Sequence, residues 1–261
     1  MSMLSNISWN SLQVWRRNRD VFFTTWKTNF IPPFLEPILY LTAMGLGFGV
    51  LIGQVEYQGN LYDYAKFLAP GLIAISIMYS AFFECTYGSF VRMHYQKTFD
   101  AIIATPVSIE DVIVGEMLWG ATKAFLNSTI VLAVIVVAGL ADFPGVLLVP
   151  AVAFLGGLMF AAIAMVFTAI MPNIDSFNYP FFLLITPMFL FSGTFFPLSV
   201  LPAWGQDLAQ LMPLTHVTTI IRDFSFDTYE LMDLLGLVYI LILTAIMFLL
   251  AIKMMRKRLI S

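Results

Sequence analysis

Apolar residues in this chain do not alternate with polar ones. They gather into six runs long enough, at roughly 20 residues each, to cross the hydrocarbon core of a bilayer as helices. The runs fall at 31–53, 70–91, 114–138, 147–170, 177–196 and 234–252. Ahead of them, over residues 1–27, the spacing is different. Leu4, Ile7, Val14, Trp15 and Phe22 fall on one side of a helical wheel, with Asn10, Gln13, Arg16, Arg17 and Asp20 on the other. That pattern predicts an amphipathic helix lying in the membrane interface, either as a basic anchor for the first span or as a docking helix for a partner.

Two runs are irregular. The first opens with Pro32, Pro33, Glu36 and Pro37, and then places Gly45, Gly49 and Gly53 four residues apart. Such a small-residue ridge admits another helix at close range, either within the protomer or across a seam between two copies. The fifth contains Pro180 and Pro187 and breaks at Phe191-Ser192-Gly193-Thr194-Phe195-Phe196-Pro197. Beyond it, Pro202 marks a helix start, Trp204, Leu208 and Leu211 sit at helical spacing, and Val217, Ile220, Ile221 and Phe224 repeat the pattern. Each piece is too short to span, which predicts a re-entrant or interfacial hairpin over 197–230 on the outer side. The expected fold is an all-α integral membrane protein with six transmembrane helices, an N-terminal amphipathic interface helix and an outer hairpin between helices 5 and 6.

Composition agrees. Of 261 residues 60% are hydrophobic and 11% charged, with mean hydropathy +0.87, whereas soluble domains carry roughly 25% charge. A soluble fold is excluded. Arg16, Arg17, Arg19 and Lys27 precede the first span, Arg92 and Lys97 follow the second, and Lys253, Arg256, Lys257 and Arg258 close the chain, all on one side. The opposite side holds Lys66 and Arg222 among many acids, so the positive-inside rule places both termini in the cytoplasm. The polar start, with Ser5, Asn6, Asn10 and Ser11, lacks the apolar core of a secretory signal, and the first span is expected to be retained. The single cysteine, Cys85, permits neither a disulfide nor a cysteine metal cluster within one chain.

No catalytic constellation stands out. The sequence has no nucleophile elbow, no metalloprotease helix and no phosphate-binding loop, and its two histidines, His94 and His216, fall on predicted opposite sides of the membrane. The informative residues are ionisable groups inside predicted spans, namely Glu36, Glu84, Glu116 and Lys123, which must face protein or water because an uncompensated charge in lipid costs at least about 2.5 kcal/mol. Counting about 1.5 Å per residue places Glu84 and Lys123 at similar depth. They are expected to pair between the second and third spans, with reversal of both charges restoring what either single reversal loses. A structural pair and an ion relay are the two readings of such charges. In the loop at 92–113, Phe99, Ile102 and Ile103 share one side of a short helix ended by Pro106, and Ser108 caps a new helix with Glu110 and Asp111 in its first turn. The apolar side suits either a soluble partner or the membrane surface.

These segments together resemble, from end to end, the permease subunits of type-2 ATP-binding-cassette exporters. The stretch Lys97-Thr98-Phe99-Asp100-Ala101-Ile102-Ile103-Ala104-Thr105-Pro106-Val107-Ser108 is similar to the family's coupling segment. The break at 191–197, continued through Leu211-Met212-Pro213-Leu214-Thr215-His216, resembles its outer re-entrant hairpin, and the leading amphipathic helix resembles its interface helix. Glu84-Cys85-Thr86-Tyr87-Gly88-Ser89-Phe90 leading into Lys97-Thr98-Phe99-Asp100 is most similar to permeases of nodulation-type lipo-oligosaccharide exporters. The resemblance implies ATPase coupling through Lys97, Thr98, Phe99, Asp100, Thr105 and Pro106. It implies an outer gate at Ser192, Gly193, Phe195, Phe196, Pro197, Pro213 and His216, and an interface-helix role for Trp15, Arg16 and Arg17. It further implies one domain over 1–261, no enzymatic site or cofactor in this chain, and ATP with magnesium in a partner ABC ATPase subunit. A second permease copy, membrane lipid and no nucleic acid complete the implied partners, in the bacterial cytoplasmic membrane. The implied cargo is lipid-linked, polysaccharide-like or hydrophobic and moves outward. An ion-coupled secondary transporter, which would be expected to show inverted repeats and a break near the midplane, and a non-transporting scaffold are the rival classes.

Overall fold

In the computed structural model, which describes residues 6–260, six helices long and apolar enough to cross a membrane cover Asn29–Ile52, Tyr64–Tyr95, Ile109–Val137, Gly145–Ile170, Ile174–Phe191 and Leu231–Ile260. Several run past the expected ends, because an apolar run stops at the first charged side chain whereas a helix stops where its backbone pairing stops. The second span carries Lys66 in its first turn and Arg92 and His94 in its last. The third begins at Ile109, where a reciprocal cap forms: Ser108 Oγ accepts from the Asp111 N–H at 3.0 Å, and the Asp111 carboxylate accepts from the Ser108 N–H at 3.4 Å. The sixth continues through Lys253 to Arg258, cations that favour a helix C-terminus.

The fifth span ends at Phe191, short of the expected 196. Its prolines lack backbone donors, and a widened turn at Phe181–Ile185 is closed by the Thr186 hydroxyl donating to the Phe181 carbonyl at 3.1 Å. Gly193 then turns the chain out at φ +72°. Two helices follow, Ala203–Gln210 behind Pro202 and Pro213–Phe226. Val217, Ile220 and Ile221 are buried against the second and sixth spans, while Trp204, Leu208 and Leu211 remain exposed. Between the first two spans lies a hairpin that apolar periodicity does not announce. Its strands β1 (Gln54–Tyr57) and β2 (Asn60–Asp63) pair antiparallel, Tyr57 opposite Asn60, across Gln58 and Gly59 at φ +50° and +77°. Two positive-φ residues make the tight turn whose twist suits a hairpin.

The second, third and fourth spans form the core, the sixth packs one side on the fourth, and the first, fifth and sixth are largely uncovered. Close approach in the core depends on small residues. A Cβ at Gly157 of the fourth span would stand 2.8 Å from Ala124 Cβ and 3.2 Å from Ala121 Cα of the third. In the first-span ridge only Gly45 packs closely within the protomer, against Ala65; Gly49 and Gly53 have no atom within 4 Å of a built Cβ.

The amphipathic helix forms over Ser11–Thr24. It lies against the third span, with Val14 seated over Gly115 and Phe22 edge-on to Trp119 at 5.4 Å. Its buried side also contains Ser11 and Asn18, polar residues that fall among the apolar ones on the wheel. Leu4 lies outside the described residues.

Gly157→Val drives two methyl groups into the third span and is expected to destabilise the bundle by about 1–3 kcal/mol. A lowered melting temperature of the detergent-solubilised protein checks it, and an unchanged value contradicts the packing.

Candidate functional site

Two of the four predicted intramembrane charges, Glu84 and Glu116, converge on one arginine, and a third, Lys123, joins them through Glu84. Glu84 and Arg92 lie two helical turns apart on the second span, with Gly88 between them. A Cβ at Gly88 would stand 3.1 Å from Glu84 Oε1 and 3.4 Å from Arg92 Nη1, so the absent side chain leaves the passage through which the guanidinium reaches back. Arg92 Nη1 lies 2.8 Å from Glu84 Oε1. Its Nε and Nη2 donate to Glu116 Oε2 of the third span at 2.9 and 2.6 Å.

Lys123 donates to Glu84 Oε2 at 2.7 Å, the pair that depth counting suggests, and Trp119 Nε1 donates to Glu84 Oε1 at 3.1 Å. Ser89 Oγ donates to Glu116 Oε2 at 2.6 Å, and Asn18 Nδ2 of the amphipathic helix donates to Glu116 Oε1 at 2.7 Å. All four carboxylate oxygens are satisfied, and two acids face two bases. Glu84 and Glu116 are 7% and 1% exposed, so the balance matters: charges buried this deeply persist only when paired and hydrogen-bonded. Glu36 stands apart, with no cation within ion-pair distance among the described residues.

The same network ties the amphipathic helix down. Trp15 Nε1 donates to Thr122 Oγ1 at 2.9 Å, and Arg17 Nη1 donates to Asn18 Oδ1 at 2.9 Å, while Arg16 faces outward. One turn of chain away, Asp111 accepts from the Ser8 N–H and hydroxyl at 2.6 and 2.9 Å, and Arg256 of the sixth span lies 3.1 Å from Glu110. Segments from both ends of the chain thus meet at the start of the third span.

That start follows directly on the short helix Thr98–Ile103. Lys97 precedes it at φ +52°, lies 4.0 Å from Asp100, and both side chains are exposed. Phe99 is fully buried and Ile102 and Ile103 pack on the core. The apolar side therefore faces this chain's own interior, which corrects the expectation that it waits for a soluble partner or the membrane. Lys97, Asp100, Thr105 and Pro106 are what the helix and its end present, with Thr98 half-buried and Phe99 withdrawn.

At the far end a second buried cation holds the break. Arg222, 2% exposed, donates to the Gly193 carbonyl at 2.8 Å and lies over the Phe67 ring at 4.0 Å. It serves carbonyls that the interrupted fifth span leaves without helical partners. Thr194 packs where Gly71 of the second span makes room, Ser192 is buried with its hydroxyl near Met212, and Phe195 meets Phe189 edge-on at 5.0 Å. Phe196 and Pro197 are half-buried; Pro213 opens its helix, and His216 Nε2 lies 2.9 Å from the Gln210 carbonyl. Burial pushes the Asp223 carboxyl up to about 8; Tyr57, donating to it at 2.8 Å, opposes the rise, and Asp233 adds to it. Arg92, Asn18 and Arg222 carry this architecture and stood outside the sequence-derived site. The spacing Glu84-x-x-x-Gly88-x-x-x-Arg92 is the one signal that could have found the first.

Comparison with known proteins places this geometry. The model of the family described as ABC-2 type transporter matches residues 11–226. Nodulation protein J of Sinorhizobium fredii is 35% identical over 257 residues, 97% of this chain and 95% of that protein. Nodulation protein J of Rhizobium leguminosarum bv. viciae is 39% identical over 217 residues, 82% and 81% of the two chains. The inner membrane transport permease YadH of Escherichia coli is 22% identical over 215 residues, 82% of each.

Arg92→Met leaves Glu116 buried without a cation and Glu84 with Lys123 alone, and is expected to cost about 3–5 kcal/mol, read as loss of the monodisperse peak in fluorescence-detected size exclusion. The three-way geometry also revises the charge-reversal expectation. Combining Glu84→Lys with Lys123→Glu sets a new cation against Arg92, so the double variant should express no better than the single ones. Full recovery would show that Glu84 and Lys123 pair without Arg92.

Proposed function

From the premise that this chain belongs to the ABC-2 type transporter family, we propose that it is the permease subunit of an ATP-driven exporter moving a lipid-linked, polysaccharide-like or hydrophobic molecule outward. Membership makes it the membrane subunit of an ABC transporter and a multi-pass membrane protein, and it implies an ABC ATPase partner. ATP and magnesium belong to that partner. The basic flanks assign both termini and the 97–106 segment to the cytoplasm.

The observation that carries this reading is the helix Thr98–Ile103, which buries Phe99 in its own protein while offering Asp100 and Lys97 outward. A segment anchored by its apolar side and polar on its free side transmits a push instead of yielding to it. ATP-driven closure of two ATPases would press on it, and the start of the third span and the Arg92 network would carry the displacement into the bundle. The uncovered first and fifth spans support a second permease copy across a shared conduit, with the hairpin 197–230 re-entering from the outer side to close it. The likeness to nodulation-type lipo-oligosaccharide exporter permeases supports an amphiphilic cargo.

Asp100→Lys is expected to leave membrane insertion intact and to abolish permease-dependent ATP hydrolysis by the co-purified ATPase. Normal hydrolysis in that variant contradicts the coupling role.

A further inference from the structure

Two carboxyls meet at the end of the bundle away from the 97–106 segment. Asp223, on the helix Pro213–Phe226, is 1% exposed, and Asp233, in the first turn of the sixth span, is 5% exposed. The two side chains lie within hydrogen-bonding reach of each other, and among the described residues neither has a cation at ion-pair distance. Asp223 Oδ1 accepts from the Tyr57 hydroxyl at 2.8 Å and from Gln58 Nε2 at 3.2 Å. Asp233 Oδ2 accepts from the Glu230 N–H at 3.0 Å, but Asp233 Oδ1 is buried with no hydrogen-bond partner. Two ionised carboxylates facing each other without a cation repel, and a buried acceptor without a donor is costly. One proton removes both faults. Carried on Asp223 Oδ2, it leaves one negative charge in place of two and gives Asp233 Oδ1 its donor.

The groups around the pair bear on its charge. The hairpin presents Tyr57 and, stacked on Phe226 at 4.2 Å, Tyr62. The second span presents Lys66, which is committed to Asp142 at 2.8 Å, and Asp227 and Glu230 on the connecting turn are exposed. On the same helix as Asp223, Arg222 is near enough for its charge to favour ionised Asp223. Its guanidinium is nevertheless turned to the Gly193 and Thr194 carbonyls at 2.8 and 3.5 Å and to the Phe67 ring, and its Nε is buried with no partner. With Asp223 neutral, Arg222 has no carboxylate to prefer over those carbonyls. With Asp223 ionised it has one at the next residue, and a carboxylate is the stronger acceptor.

We propose that Asp223 and Asp233 bind one proton between them, and that this proton fastens the helix 213–226 to the sixth span and keeps Arg222 on the carbonyls of the broken fifth span. Burial, which pushes the Asp223 carboxyl up to about 8, gives the site a working range near neutrality. Loss of the proton sets two negative charges face to face and frees Arg222 to turn to Asp223. The site depends on this chain's own side chains and not on the exporter reading above.

Infrared titration of the full-length permease in phosphatidylcholine nanodiscs tests the proton directly. A protonated-carboxyl C=O band is expected below a midpoint of about 8 and lost above it. It is absent from Asp223→Asn and moves to lower pH in Asp233→Asn, where the facing charge is gone. Tyr57→Phe removes a donor to the ionised form and moves the midpoint up, which keeps the test valid if Asp223→Asn fails to fold. The fastening has its own readout. Through Asp223 the folded chain holds one proton more than the unfolded chain from about pH 4 up to about 8. Relative to Asp223→Asn, whose amide donates as the acid does, the melting temperature of the native protein therefore falls as pH rises through that window and is level above it. Spin labels at Val137→Cys and Val200→Cys, both exposed, report the break. Their separation is expected to change across the midpoint in the native background and to stay fixed in Asp223→Asn. A band that does not titrate, as a cation held between two ionised carboxylates would give, overturns the proposal, and so does an unchanged midpoint in Asp233→Asn. A titrating band with a pH-independent label separation overturns the hold on Arg222.

Discussion

Arg92 is shared between two buried carboxylates, and the half of the bundle next to the 97–106 segment is arranged around that sharing. Replacing a buried ion network by apolar residues of similar volume is often neutral or stabilising, so strength alone does not explain it. Geometry does. With Glu84 and Arg92 on the second span and Glu116 and Lys123 on the third, the four charges can all be paired in only one rotation and one register of the two helices. Any slip strands a charge in a dry environment, where the cost is several kcal/mol per ion. The two spans are thereby pinned to each other at the end that carries the 97–106 segment. Asn18 adds the amphipathic helix to it, and the cap at Ser108 joins it to the 97–106 segment.

The far half uses the opposite device. There the fifth span is interrupted, and its freed carbonyls are collected by Arg222 without a carboxylate within ion-pair distance among the described residues. A cation held by carbonyl dipoles and an aromatic face is held less tightly than one clasped by two acids. One end of the bundle is pinned by paired charges and the other is built around the break in the fifth span. A cavity lined by Glu36 and Asn127 lies beside the first and fifth spans.

Much of this was legible in the sequence because the bilayer is a strict solvent. Run length alone locates six spans, and equal depth brings Lys123 to Glu84. What was not legible turns on side-chain reach and on who covers whom. Arg92 at the end of an apolar run has the pattern of a boundary anchor, and only the gap over Gly88 lets it reach back into the span. Asn18 sits on the apolar side of the wheel, but its partner Glu116 is in another helix nearly a hundred residues away, and the wheel cannot name it. A wheel shows that Phe99, Ile102 and Ile103 form a side; it is silent on whether membrane, partner or the chain's own core covers it. The hairpin at 54–63 is too short for periodicity, and its one cue is Gln58-Gly59 between two strands of alternating burial.

The central claim is that the amphipathic helix, the short helix 98–103 and the second and third spans move as one body. Spin labels at Arg16→Cys and Ala101→Cys, both exposed positions in a chain whose single native cysteine is fully buried, measure it directly by pulsed electron–electron resonance in the complex with the ATPase. Superimposable intraprotomer distance distributions in the nucleotide-free and ATP-trapped states are expected. A nucleotide-dependent shift between those two labels would contradict it.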